Sequence, residues 1–434
     1  MERMAAAGWR ERSGRAHKLL LDEQRAFGIL EGDKTHPTDW LPRITPAEDW
    51  RRLERGVIQR YHAINEFLRR LQAGTEEVVP EEIVESSILY DPTVPNRFGK
   101  VPVRQVAFDI VAVERAGAWE YQVLEENAKM PVGLAALSRR RRMASEVMLP
   151  DSYAALPVYP ADGWLARLGE SLRAASDAPE PTLAVLSSGP EDQFYLDHKI
   201  YADEMGALLA EIKDLGFDRE GYLIFKPNGQ RIDVVYERVD EDLLYAELPE
   251  LIECHVEGRV NVLFAPNSEV VDDKGVYAFI PEMIRTYLGE EPLLENPRTW
   301  SLALPEDYRY AMENFADLVV KSRGGYGGKE VMIGPEESKE SREKFRRMVD
   351  ADPAEYIAQE VVDFSTHVVT SADSATDEVV LRDSYADYRV LGLAPDDDTI
   401  EVAPLSLARV AAPGSHLTNI SSGGKMKDTW VLKS

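Results

Sequence analysis

The 434-residue sequence predicts an α+β/α/β fold, and three observations carry that prediction. A long amphipathic helix is written into residues 46–73, a two-stranded hairpin into 103–127, and strands alternate with helices from residue 182 onward. Spacings of three and four mark the first, and apolar alternation around a turn marks the second.

The first forty residues are polar and weakly patterned. Met1 to Asp22 carry Arg, Glu and Lys without a long apolar segment, so no signal peptide is expected. Thr45-Pro46-Ala47-Glu48 then reads as a capping box with proline at the first helical position. Trp50, Leu53, Val57, Tyr61, Ile64, Leu68 and Leu71 form one apolar stripe, and Gly74 can end the helix. That stripe predicts core packing.

Val103–Val113 and Trp119–Leu124 flank an Ala116-Gly117 turn and predict the hairpin. After Pro131 a helix carries Arg139, Arg140, Arg141 and Arg142, read as a solvated face, with a substrate α-carboxylate site as the alternative. Pro179 to Pro181 mark a linker. Thr182–Leu186 is a buried strand, Tyr195–Leu209 a helix and Arg231–Tyr236 a further strand, together a βαβ-type unit. Leu318–Val320 and Tyr356–Glu360 are strands, and Val379–Leu381 and Tyr388–Leu391 continue a strand-rich C-terminal portion.

Composition bounds the function. A 44% hydrophobic share with 29% charged residues is that of a soluble globular protein, long enough for two or three domains. The net charge of −27 argues against a nucleic-acid partner, which needs clustered Lys and Arg. No apolar run is long enough to cross a membrane. One cysteine, Cys254, excludes an internal disulfide and predicts a reducing, cytoplasmic setting.

Three patterns carry chemistry. Lys321-Ser322-Arg323-Gly324-Gly325-Tyr326-Gly327-Gly328-Lys329 follows a strand, and its glycines let backbone N–H groups approach phosphate oxygens. It lacks the Gly-Lys-Ser/Thr ending of a Walker loop, and a flexible turn is the plain alternative. Asp109, Glu125 and Asn127 offer hard oxygen donors suited to magnesium, with Glu125 and Asn127 two apart and so on one strand face. A solvated hairpin face is the alternative there. Asp272-Asp273-Lys274 precedes an apolar stretch, where Lys274 either meets phosphate or reaches solvent. His198 reads as a packed or capping residue, and no Ser-His-Asp or Cys-His spacing points to a covalent hydrolase.

Taken in order, the pieces resemble the circularly permuted ATP-grasp family over roughly residues 85–434. They are Asp273-Lys274, Val320-Lys321 with the glycine loop, Gln359-Glu360, Asp387-Tyr388-Arg389, Arg409, and Asn419 through Gly423-Gly424. Asp109 and Glu125-Glu126-Asn127, which close an unpermuted ATP-grasp domain, stand here at the front. Lys129 stands where the family commonly has arginine, and Val132 where it has serine, which puts substrate choice in doubt more than ATP binding.

The resemblance implies a circularly permuted ATP-grasp fold with a pre-ATP-grasp βαβ domain and an N-terminal helical segment. It divides the chain into an N-terminal helical segment (1–80), the permuted metal-binding part (81–150), the pre-ATP-grasp domain (151–300), and the ATP-binding lid with the remainder (301–434). It implies ATP and Mg2+ as cofactors, and a small-molecule carboxylate and amine joined through an acyl phosphate, with γ-glutamyl transfer as one option.

In that scheme Lys274 and Lys321 hold phosphates beneath Gly324, Gly325, Gly327 and Gly328. Gln359, Glu360 and Val362 read adenine, with His367 near the ribose. Asp109, Glu125 and Asn127 hold the metal. Arg409, with Lys321 and Arg389, stabilises the transferred phosphoryl group, though Arg389 is equally a strand-edge salt bridge. Arg238, Asp240 and Asn419 are the candidate substrate contacts. A phosphotransferase and a non-catalytic nucleotide-binding partner are the alternatives.

Overall fold

In the computed structural model, residues 6–29, 36–115, 117–325, 330–372, 379–420 and 423–434 are described. Helix α1 (Ala6–Ala26) occupies much of the segment expected to lack pattern. Among its described residues the buried apolar ones are Trp9, Ala16 and Leu20, set against Met143–Leu149 and Trp430, a stripe too thin to stand out among the charges.

Strand β1 (Thr38–Thr45) leads into helix α2 (Ala47–Ala73), which buries Trp50, Leu53, Val57, Tyr61, Ile64, Phe67 and Leu68 as its stripe predicts. Gly74 ends α2 in a left-handed conformation (φ 67°), where its N–H reaches the carbonyls of Arg70 and Leu71. The expected capping box is absent. Pro46 is the N-cap, and the Thr45 hydroxyl lies 3.4 Å from Tyr388 Oη instead, because Thr45 is the last residue of a paired strand. A short helix α3 (Glu81–Glu85) follows.

The hairpin forms as β2 (Gln105–Arg115) and β3 (Ala118–Asn127), and helix α4 (Leu134–Met143) comes next. The arginines of α4 are not a solvated face. Arg139, Arg140 and Arg141 are buried, bonded to Glu23, Thr38 and Asp428 at 2.6, 2.8 and 2.5 Å, and only Arg142 is exposed, pairing with Glu23. Buried guanidinium groups persist because each has a carboxylate or hydroxyl partner.

A parallel sheet holds the βαβ unit: β4 (Leu183–Ser187), the helix Tyr195–Met205, then β5 (Leu208–Ala210). The helix stops at Gly206 (φ 59°), so Leu208 and Leu209 belong to a strand. A small antiparallel sheet β6–β8 (Leu215–Phe217, Leu223–Phe225, Gln230–Arg231) intervenes before β9 (Val234–Arg238) and β10 (Asn261–Leu263). The parallel order is β10-β9-β4-β5, so the chain leaves β4 to one side and later returns to the other.

Strands β11 (Thr299–Ser301), β12 (Leu318–Ser322), β13 (Val331–Ile333) and β14 (Tyr356–Glu360) form an antiparallel sheet of order β11-β14-β12-β13. The hairpin β15–β16 (Thr366–Ala372, Val379–Tyr385) forms its own two-stranded sheet, tied to β1 where Thr370 Oγ1 donates to Asp39 Oδ1 at 2.6 Å.

The remaining strands, β17 (Tyr388–Leu393), β18 (Glu401–Val410) and β19 (Lys425–Val431), join the front of the chain. Their six-stranded sheet runs β1-β19-β18-β17-β2-β3. Helix α2 packs one face, with Val57 and Tyr61 against Val106, Phe108, Ile110 and Val390. Helix α4 packs the other, with Leu134 and Leu137 against Ala107, Leu391, Leu405 and Leu407. Each such side chain, fully buried, contributes about 1.5–3 kcal/mol.

Candidate active site

Asp109 lies mid-strand on β2, opposite Arg389 of β17 and Glu125 of β3. Arg389 grips it in bidentate fashion, Nε to Oδ1 and Nη2 to Oδ2, both at 2.7 Å. Arg409 Nη2 adds a 2.7 Å contact to Oδ2 and reaches Asp387 Oδ2 at 2.5 Å, while Thr418 Oγ1 donates to the same Asp387 oxygen at 2.7 Å. Burial pushes the Asp109 pKa up, but Arg389 and Arg409 outweigh it and hold the carboxyl well below the usual range. Asp109 and Asp387 act in return to raise the Arg409 pKa against its own burial.

A β-bulge sets which side chains meet Asp109. Asp109 pairs with Glu125 but Ile110 pairs with Val123, so Leu124 is an extra residue on β3. Tyr121 and Val123 point toward α2. Strict alternation would send Glu125 and Asn127 the same way and turn Glu126 outward. The bulge reverses this. Glu126 is buried against Arg60 of α2, with Nε and Nη2 at 2.7 and 2.5 Å, and Asn127 Nδ2 approaches Asp109 Oδ2 at 3.4 Å on the other face.

The two lysines enter from separate elements. Asp273 caps the helix Lys274–Tyr277, accepting from Gly275 N at 2.6 Å and from Arg323 Nε at 2.8 Å. A Cβ on Gly275 would stand 2.6 Å from Arg323 Nε, so this approach needs glycine. Lys274 Nζ donates to Gly325 O at 2.6 Å and lies 4.0 Å from Glu125 Oε2. Lys321 Nζ donates to Gln359 Oε1 at 2.7 Å across the β12–β14 pairing. Burial and then Lys274 bring the Lys321 pKa down to about 8, opposed by Glu125 and Asp109.

Thus Asp109, Glu125, Asn127, Arg389 and Arg409 gather on the six-stranded sheet, and Lys274, Lys321, Gly325 and Gln359 face them. Gly324 lies beside Ile88, which a Cβ would meet at 2.4 Å. Gly327 and Gly328 lie outside the described residues. Gln359 is occupied by Lys321, Thr299 and Tyr277, leaving Glu360 and Val362 at the strand's exit. His367 lies on β15, where burial and the charges of Arg43 and Lys427 lower its pKa to about 4.

Arg238 ends β9, buried, with Nη1 3.3 Å from Pro131 O. Asp240 is exposed and caps a helix, accepting from Leu243 N at 3.3 Å. Asn419 supplies its carbonyl to Gly424 N at 3.1 Å.

Sequence reading quoted Arg323 and Asp387 within motifs but gave them, and Arg60, no part in organising the site. Their partners Ile83, Arg409 and Glu126 are remote in the chain, and no spacing rule joins them.

The donor set suits a divalent ion only in part. Both Asp109 oxygens are engaged by arginine, whereas Glu125 lies 4.0 Å from Lys274 Nζ and Asn127 turns its amide nitrogen toward Asp109. Among the described residues no group of three His, Cys, Asp or Glu is arranged to hold a metal. Glu125 and Asn127 therefore fit magnesium that takes its other ligands from phosphate, with Asp109 as the anchor that orients them. Among the described residues no helix is long and apolar enough to cross a membrane.

Over residues 42–411 the sequence matches the family described as circularly permuted ATP-grasp type 2. An uncharacterised protein of Synechocystis sp. is 35% identical over 92% of this chain and 85% of its own length. A Frankia alni protein provisionally named a glutamate–cysteine ligase is 35% identical over 99% of this chain and 51% of its own. A Frankia casuarinae protein with a similar provisional name gives 94% and 49%, so this chain spans about half the length of these two relatives. Among solved structures, a glutathione synthetase-like effector from Globodera pallida superposes with a TM-score of 0.61 at 14% identity, covering 97% of this chain and 96% of that one, a likeness of fold.

Proposed function

This chain belongs to the circularly permuted ATP-grasp type 2 family, and we propose that it is an ATP-dependent carboxylate–amine ligase forming an amide with release of ADP and phosphate. The observation that most supports the reading is the convergence of Lys274, Lys321, Glu125 and the Asp109–Arg389–Arg409 network from four separate stretches of chain.

In this reading a carboxylate oxygen attacks the terminal phosphorus of ATP, ADP leaves, and an acyl phosphate forms. An amine nitrogen then attacks the acyl carbon, phosphate departs, and the amine gives up a proton. Lys274 and Lys321 neutralise the phosphates of the nucleotide, and the backbone from Glu360 to Val362 reads adenine. Glu125 and Asn127 would hold magnesium, which would neutralise charge on the phosphates. Arg409 and Arg389, already fixed by Asp109 and Asp387, stand pre-oriented for the charge that develops on the transferred phosphoryl group. The provisional glutamate–cysteine ligase name of the Frankia relatives supports glutamate as the acid.

The test is ADP release with magnesium-ATP and pooled amino acids in the presence of hydroxylamine. A hydroxamate appearing with ADP identifies the acid and its activation in one step. ADP without any hydroxamate overturns the ligase reading and favours a phosphotransferase.

A further inference from the structure

The parallel sheet β10-β9-β4-β5 has its reversal of strand order between β4 and β9. Open parallel sheets bind ligands beyond the carboxyl ends of their strands at such a point. Glu237 and Arg238 close β9 there, beside Leu186 and Ser187 of β4.

Glu237 is fully buried, yet among the described residues neither of its carboxylate oxygens has a hydrogen-bond partner. Its charged neighbours are Glu241, Lys129, Glu269 and Arg238. Lys129 Nζ is shared between Glu241 and Glu269, both mostly buried. Tyr245 Oη, also buried without a partner, has the same three glutamates as its charged neighbours. Lys129 Nζ reaches Glu241 and Glu269 but leaves Glu237 and Tyr245 Oη without a hydrogen bond, and a buried polar group left so costs about 1–3 kcal/mol. The arrangement holds hydrogen-bonding capacity that Lys129 does not fill.

Its position is equally specific. Lys129 lies two residues beyond Asn127, and Asp272 accepts from the N–H groups of Ala128 and Lys129 at 2.6 and 3.0 Å. Lys274 begins the helix that Asp273 caps, so the carboxylate cradle and the phosphate-facing lysines share one wall.

We propose that Glu237, Glu241 and Glu269 form the binding site for a primary ammonium group of the amine substrate, with Lys129 as the tethered cation that fills it when substrate is absent. The proposal rests on the ligase reading. Binding displaces Lys129 Nζ toward solvent, which its long side chain permits. Neutral molecules of the same shape are then rejected because they cannot replace the Lys129 ammonium between Glu241 and Glu269.

The test is calorimetric titration of the intact chain at 0.15 M salt with 1,4-diaminobutane and with 1,4-butanediol. Salt at that level screens the diffuse attraction of the acidic surface. The diamine is expected to bind and the diol not to. Glu237→Gln, which keeps the shape and replaces one carboxyl oxygen by an amide, should weaken the diamine at least ten-fold. Lys129→Met should tighten it several-fold by removing the internal competitor, and exposed Glu340→Gln should change nothing.

Equal binding of diamine and diol, or unchanged affinity in Glu237→Gln, overturns the proposal. Should Lys129→Met not fold, the Glu237→Gln comparison decides alone. Hydroxamate formation by the parent is measured alongside. Hydroxamate without diamine binding removes the cradle and leaves the ligase, whereas diamine binding without hydroxamate removes the ligase reading alone.

Discussion

Replacing Arg60 by Met should be among the more damaging single changes in the chain. Both partners of the Arg60–Glu126 pair are fully buried, and Arg60 also donates to Leu294 O at 2.9 Å and Asn296 Oδ1 at 2.7 Å. Burial raises the Glu126 pKa on balance, and the charge and hydrogen bonds of Arg60 oppose that rise.

Removing one partner of such a pair typically costs about 3–5 kcal/mol, because the other charge stays buried and unmatched. Replacing both by apolar groups of similar volume is often close to neutral. Arg60→Met should therefore lose about 3–5 kcal/mol, and the double change Arg60→Met with Glu126→Leu should recover most of it. Urea unfolding of the parent, both single variants and the double variant measures the coupling directly. Losses that simply add in the double variant would refute the argument, as would an Arg60→Met protein as stable as the parent.

Other outcomes follow from the same geometry. Glu125→Gln and Lys321→Ala should each lower ADP formation by at least a hundred-fold, about 2.7 kcal/mol in the barrier, with a thermal midpoint near that of the parent. Full turnover in both would displace the site. Gly334→Ala should destabilise by roughly 1–3 kcal/mol, because its Cβ would meet Ala316 O at 2.5 Å and Leu318 O at 2.8 Å, backbone atoms that cannot step aside. A urea midpoint checks it.

Burial and the Glu241 charge raise the Glu269 carboxyl to about 8 against the pull of Lys129. The folded chain thus keeps that proton to a higher pH than the unfolded chain, and stability should fall as pH rises from about 5 to about 8. Glu269→Gln should flatten that slope, read from urea midpoints at both ends of the window.

Helix α2 was legible because its stripe keeps one period for 27 residues, and the hairpin because its turn separates two apolar runs. The same-face placement of Glu125 and Asn127 followed from spacing alone. Which face they take did not, since the bulge at Leu124 has no glycine to announce it and is settled by Arg60 waiting on α2 for Glu126. The run Arg139–Arg142 misled for a related reason. Four like charges in sequence suggest a solvated face, but their partners Glu23 and Asp428 lie 116 and 287 residues away from Arg139 and Arg141. Pairings at that separation are decided by tertiary packing and leave no local mark.

Asp109 and Arg389 are 280 residues apart in the chain and directly opposed in the sheet. Strand neighbours, not chain order, decide which charges meet, so moving the hairpin to the front costs the site nothing while β2 still pairs with β17. What the site does depend on is local. If β3 ran without its extra residue, Glu125 and Asn127 would face the apolar side of α2, Leu124 would stand opposite Asp109 in place of Glu125, and Glu126 would stand opposite Ala107 in place of Asn127. The buried Arg60–Glu126 pair makes that register costly, since it would strand Arg60 in the core. The ion pair on one face of β3 thereby fixes the chemistry on the other.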